Sequence, residues 1–198
     1  MRPQHRLFTK MIYVIFMVKI MNLKDVPMQL IYTIGHSNSS PEAFIGLLEM
    51  AKVEFLVDIR SNPNSGWVSF ANSQNLKEIL TARGIKYIYM GDTLGGHPSD
   101  PDCYDPQTGK VDYRIIQQKE SFKRSISRLV TGSRKYRICI MCAEESPVHC
   151  HRSLLVGATL SQEGIQVLHI RGDGKIQTDE ELLKERAGVV ESQYILPL

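Results

Sequence analysis

The sequence has little of what would commit it to a specialised class. Cysteines number four in 198 residues, too few for a disulfide scaffold in a chain long enough to bury a sizeable core, so they read as cytoplasmic thiols. Neither sign of charge is in excess. The 24 basic and 21 acidic residues leave +3, which tolerates a phosphate-bearing ligand but lacks the basic signature of a dedicated nucleic-acid binder. Long apolar runs are missing too. The N-terminal run from Met11 to Val18 is short, meets Lys19 at its end, and has no small-residue cleavage site after it. Neither a stable membrane anchor nor an export signal is expected from it. Met21 and Met28 offer later starts, and residues 1–28 are read as an extension outside the functional protein. There is no internal repeat and no low-complexity segment. What is there, 42% hydrophobic and 23% charged residues, is the balance of a globular domain.

From residue 30 the chain alternates short apolar runs with amphipathic stretches. "LIYTIGHS", "EFLVDIR", "IKYIYM", "YRICIMCAE" and "IQVLHI" read as five strands. Between them, "PEAFIGLLEMAK", "NSQNLKEILTARG", "DYRIIQQKESFKRSISRLVTG" and "HRSLLVGATLSQEG" carry apolar residues at helical spacing. Ser39 or Ser40 caps the first helix, Pro41 suits its first turn, and Gly84 and Gly164 end the second and fourth. Thr178 and Glu181 stand at capping-box spacing ahead of a terminal helix. The expectation is an α/β fold, a mostly parallel five-stranded sheet with helices on both faces, in a Rossmann-like three-layer arrangement. Residues 29–175 would form this domain and 176–198 a C-terminal helix and tail.

Ligands of open parallel sheets bind beyond the carboxyl ends of the strands. Those ends are His36 and Ser37, Asp58 to Asn62, Gly91 and Asp92, Cys142 to Glu145, and Arg171 to Asp173. Most of the chemically capable groups therefore fall on one edge. Two connections are long. "SNPNSGWVSFAN" holds the single tryptophan, Trp67, with Phe70, as a base-stacking or lid segment or as a cluster packed under its own loop. "GDTLGGHPSDPDCYDPQTGKVDY" has no periodicity; its Gly95 and Gly96 either let backbone approach a ligand or simply turn the chain, and its Cys103 reads as an exposed thiol.

"MCAEESPVHCHRS" concentrates the chemistry. Cys150 precedes a helix and is flanked by His149, His151 and Arg152, surroundings that favour a thiolate. Arg152 and Arg60 would hold an anion with the helix's first amides, and Glu144 or Glu145 would serve as acid or base. A buried, inert sulfur is the alternative for Cys150. A metal reading takes Cys142, His149, Cys150 and His151 as ligands for zinc or iron. Cys139 and Cys142 belong to one strand at a spacing that points them to opposite faces, which leaves Cys139 in the core. His169, in the last strand, reads as a core histidine, and Asp58 as a carboxylate that fixes either Arg60 or a neighbouring loop.

The blocks "IYTIGHSN", "LVDIRSNPNS", "GIKYIYMGDTLGG" and "MCAEESPVHCHRS" resemble, in order, those of the bacterial and archaeal family catalogued as domain of unknown function 488, over roughly residues 30–175. The resemblance implies that the blocks ending in His36, Arg60, Gly96 and Arg152 belong to one site. A second likeness, in outline, is to rhodanese domains, where a strand ends in a nucleophilic cysteine and an Arg-Ser opens the next helix. Here Arg152 follows Cys142 by ten positions, longer than the compact rhodanese loop.

These readings give a cytoplasmic enzyme, a transferase or hydrolase acting on a small anionic or nucleotide-like substrate. Its catalytic candidates are Cys150, Cys142, Glu144 and His36. Its substrate-binding candidates are Ser37, Arg60, Ser61, Trp67, Gly95, Gly96 and Arg152. A metal-binding or ligand-sensing module and a nucleic-acid or base-processing protein are the alternatives.

Overall fold

The computed structural model describes residues 29–64 and 66–194; the N-terminal extension and its apolar run lie outside the described residues. The apolar runs become β1 (Leu30–Gly35), β2 (Phe55–Asp58), β3 (Lys86–Tyr89), β4 (Ile138–Cys142) and β5 (Gln166–Ile170). A sixth strand, β6 (Ile176–Thr178), joins them, so the order is β3-β2-β4-β1-β5-β6. The first five are parallel and β6 runs antiparallel at the edge against β5. The expected count of five omits β6 because three residues carry no readable alternation; pairing with β5 makes it a strand.

The helices are α1 (Pro41–Met50), α2 (Ser73–Ala82), α3 (Gly91–Leu94), α4 (Tyr113–Gln118), α5 (Glu120–Ser133), α6 (Ala158–Gln162) and α7 (Asp179–Tyr194). Ser40 caps α1 by accepting from the Ala43 amide, and the Thr178–Glu181 capping box forms at α7. The third helix of the sequence reading divides at Lys119, whose extended backbone (φ −65°, ψ 133°) separates α4 from α5. Lys119 is held there by an ion pair with Asp100 at 2.7 Å. Among the described residues no helix is long and apolar enough to cross a membrane.

Alternation along the strands feeds two cores. Ile34, Leu56, Cys139 and Met141 pack with Phe44, Ile45 and Leu48 of α1 and Leu76 and Leu80 of α2. Ile31, Val57, Ile138 and Ile140 pack on the other face with Phe122, Ile126 and Leu129 of α5 and Leu160 of α6. Cys103 belongs to this second core and is buried, not exposed as its loop position suggested, because the 91–113 segment folds back through a short 3-10 turn and a Tyr104–Val111 bridge.

Chain direction places the site. After β1 the chain moves to β2 on one side, and after β4 it moves to β5 on the other. β1 and β4 are neighbours, with Gly35 opposite Cys142, so the crevice of a doubly wound sheet opens beyond their carboxyl ends. The ladder continues past both strands: the His36 amide donates to the Cys142 carbonyl at 3.1 Å and the Ser37 amide to the Ala143 carbonyl at 2.8 Å. The loop after β4 then crosses directly over Gly35, where a Cβ would lie 1.6 Å from the Glu144 carbonyl oxygen. Only glycine permits that crossing.

Gly35→Ala is therefore expected to cost at least about 3 kcal/mol in urea unfolding. Gly46→Ala, in the exposed middle of α1 with nothing within 4 Å of the new methyl, is expected to stabilise by about 0.5–1 kcal/mol. Equal effects at the two glycines would refute the crossing.

Candidate functional site

Cys142 closes β4, and the loop 143–151 carries the chain back over it to Cys150 and His151. The Cys142 sulfur, the Cys150 sulfur and a ring nitrogen of His151 all lie within 4.8 Å of one another. The His151 Nδ1 stands 3.6 Å from the Cys142 Sγ, while Nε2 is 3.0 Å from the Ile59 carbonyl. A carbonyl can only accept, so Nε2 carries a proton, and Nδ1 is the nitrogen that faces the sulfurs. Gly96 makes this ring position possible: a Cβ there would meet the imidazole at 2.7 Å.

The two thiols share charge unequally. A hydrogen bond from Cys150, the amides of Glu144 and Ala143 and the charge of Arg152 pull the Cys142 thiol below its ordinary value, against burial. Donation to Cys142 and burial push Cys150 well up. Of the two, Cys142 at the strand end, rather than Cys150 before the helix, is thus the thiol that ionises more readily. Cys139, wholly buried on the other face of β4, is also pushed up by desolvation.

Arg152 opens a π-helix (Arg152–Gly157) that leads into α6. Its guanidinium is 0% exposed, and among the described residues it forms no ion pair with a carboxylate. Nη1 and Nη2 donate to the Glu144 and Glu145 carbonyls, and Nε to the Thr33 hydroxyl at 3.3 Å. Thr33 in turn meets His169 Nδ1 at 2.8 Å, and His169 Nε2 meets Asp179 at 2.9 Å. Every bond in this chain is directionally consistent if His169 is neutral with its proton on Nε2. The relay runs from the start of α7 through β5 and β1 to the cysteine loop. A buried cation without a carboxylate partner favours a nearby anion, and the Arg152 charge is one of the causes that lower the Cys142 pKa.

A second network fixes the loop after β2. Asp58 accepts from the Arg60 amide at 3.0 Å, from Arg60 Nε and Nη2 at 2.9 and 2.6 Å, and from the Tyr87 hydroxyl at 2.8 Å. Arg60 Nη2 also donates to the carbonyls of Pro63 and Ala71, and Nη1 faces His36 Nε2 at 3.1 Å. His36 Nδ1 contacts the Ser37 carbonyl at 2.9 Å. Burial, reinforced by the Arg60 charge, lowers the His36 pKa and keeps the ring neutral.

The candidates therefore divide. Cys142, Cys150 and His151 come together, with Arg60 and Arg152 behind them. Arg60 and Arg152 are held by backbone and side chains of the protein itself, and both ring nitrogens of His36 are engaged. Glu144 and His149 are exposed, and His149 is not part of the sulfur–imidazole cluster. Ser37 adopts a left-handed backbone (φ 45°) at the strand end. Ser61 accepts from the His97 amide at 2.9 Å and packs against Gly95, where a Cβ would meet its hydroxyl at 2.3 Å. The paired glycines thus admit Ser61 and His151. Phe70 is packed against Phe44 and the edge of His36, while Trp67 is 96% exposed. Tyr113 was not among the candidates. Burial and the charges of Cys150, Glu144 and Cys142 raise its pKa, and it is the folding back of the 91–113 segment that brings Tyr113 within the reach of those charges.

Since its pKa is lowered on folding, Cys142 is expected to be alkylated by iodoacetamide with a pH inflection below that of thiols in the urea-unfolded chain. Arg152→Lys, whose single ammonium cannot serve both loop carbonyls, is expected to move that inflection upward. An inflection at or above the unfolded value in the parent would contradict the assignment of thiolate to Cys142.

The model of a family described as Domain of unknown function DUF488 matches residues 40–159, which takes in Arg60, Gly95, Gly96 and the whole Cys142–Arg152 loop and leaves His36 and Ser37 just outside. No curated protein and no solved structure matches the chain. With well over half of its length matched, this α/β chain belongs to the DUF488 family.

Proposed function

We propose that the protein is a thiol-dependent transferase or hydrolase in which Cys142 is the nucleophile and His151 its base. The observation that carries this reading is a three-part geometry: the Cys142 sulfur 3.6 Å from His151 Nδ1, and His151 Nε2 anchored 3.0 Å from the Ile59 carbonyl. A nucleophile, a base and a group that orients the base make up the general pattern of activated nucleophiles. The position at the crevice between β1 and β4 supports it, since ligands of open parallel sheets arrive there. The charge of Arg152, which has no carboxylate partner among the described residues, favours a small substrate with an anionic group, drawn by charge rather than gripped by guanidinium forks. All four cysteines are free thiols, which suits a cytoplasmic setting.

A second reading has its own observation. Two sulfurs and an imidazole nitrogen within 4.8 Å, with the far nitrogen of the ring tied to a backbone carbonyl, also fit three ligands of a zinc or iron site with one position open.

Two measurements separate the readings. His151→Ala is expected to slow iodoacetamide labelling of Cys142 at neutral pH by roughly tenfold or more, with the label located by peptide mass mapping. Unchanged labelling would remove His151 from the mechanism. Metal analysis of untagged protein is expected to show far less than one equivalent; about one equivalent, lost in both Cys142→Ser and Cys150→Ser, would establish the metal reading instead.

A further inference from the structure

Resting on the thiol reading, we propose that Cys142 and Cys150 form a redox-active dithiol: Cys142 attacks a low-molecular-weight disulfide, and Cys150 resolves the product as an internal Cys142–Cys150 disulfide. The geometry supports different roles for the two sulfurs. Cys142 is fixed at the end of a central strand, in the crevice. Both sulfurs are buried, Cys142 at 5% and Cys150 at 1% exposure, and Cys142 is the one that stands 3.6 Å from His151 Nδ1, so the base activates it for the first attack.

The sulfurs start within 4.8 Å, and a disulfide bond of about 2.05 Å needs them to close by a further step. That step falls on the segment between them, whose residues Ala143, Glu144, Ser146 and His149 are exposed. The strand can stay where it is. Cys139 and Cys103 are held in the two hydrophobic cores on opposite faces of the sheet, outside this group. A transient pair of this kind is also the form in which disulfides occur in reducing surroundings.

The steps balance. Cys142 gives its proton to His151 Nδ1 and attacks one sulfur of R–S–S–R, forming Cys142–S–S–R as R–S⁻ departs and takes the proton. Cys150 then gives its proton to the same nitrogen and attacks the Cys142 sulfur, forming the Cys142–Cys150 bond and releasing a second R–S⁻, which is protonated in turn. The protein dithiol loses two electrons and two protons, and the small disulfide becomes two thiols. The imidazole serves both steps because its nitrogen lies within reach of both sulfurs.

The test uses the native, full-length chain and one equivalent of the chromogenic aromatic disulfide dithiobis-nitrobenzoate. The expected result is two equivalents of released nitrothiobenzoate per chain, a product without adduct and lighter by two hydrogens, and a Cys142–Cys150 crosslink in a non-reduced digest. Cys150→Ser is expected to release one equivalent and keep an adduct on Cys142. A parent that stops at one equivalent with a lasting Cys142 adduct would overturn the resolving role while leaving the nucleophile in place. Failure of Cys142 to react in the native chain, when the unfolded chain reacts, would overturn both. If Cys150→Ser does not fold, the digest of the parent decides alone.

Discussion

The candidate site depends on one buried guanidinium. Arg152 has no exposed surface and no carboxylate partner among the described residues, so its charge is balanced by carbonyl dipoles and by whatever anion lies near. Its two terminal nitrogens hold consecutive carbonyls of the loop after β4, and this pulls the loop across Gly35. The same contact lays the Glu144 and Ala143 amides against the Cys142 sulfur. One residue thus shapes the loop and favours the thiolate inside it. Thr33, His169 and Asp179 set the guanidinium from the neighbouring strands and the start of α7. The helix that begins α7 is in this way tied to a cysteine two strands away.

The second network follows the same logic. Asp58 and Arg60 neutralise each other in the crevice, and His36 and Tyr87 complete the hydrogen bonding of the pair. The pair closes the crevice floor and leaves a field instead of a grip. Close approaches at Gly95 and Gly96 then bring Ser61 and the His151 ring against the 91–96 segment. Most polar groups at this edge hold each other.

Much of the fold was legible in the sequence. Period-two alternation in "CIMC" separated Cys139 from Cys142 correctly, because strand geometry allows no other outcome. Ser40, Pro41, Thr178 and Glu181 announced helix starts through bonds that are local in sequence. Asp58 as the partner of Arg60 was legible for a similar reason: the two stand two residues apart at a strand end, and a buried carboxylate needs a cation. The break at Lys119 was not legible, since the apolar periodicity runs through it, and the ion pair that stabilises the bend comes from Asp100, far along the chain. Cys103 and Tyr113 were misplaced or missed because the segment that holds them has no periodic signal, and its folding depends on packing against α5 and the sheet.

What the sequence by itself determined is the α/β class, the helix caps, the gathering of polar groups at the carboxyl edge of the sheet and membership of its family. Those follow from periodicity, capping chemistry and ordered motifs, all of which act over a few residues. What only the tertiary structure decided is the division of labour on that edge. Whether Arg60 and Arg152 face a ligand or the protein, and which of Cys142 and Cys150 carries the charge, turns on hydrogen bonds between segments brought together by the parallel sheet. Electrostatics in a buried site depends on distance and desolvation in space, and neither can be read along the chain.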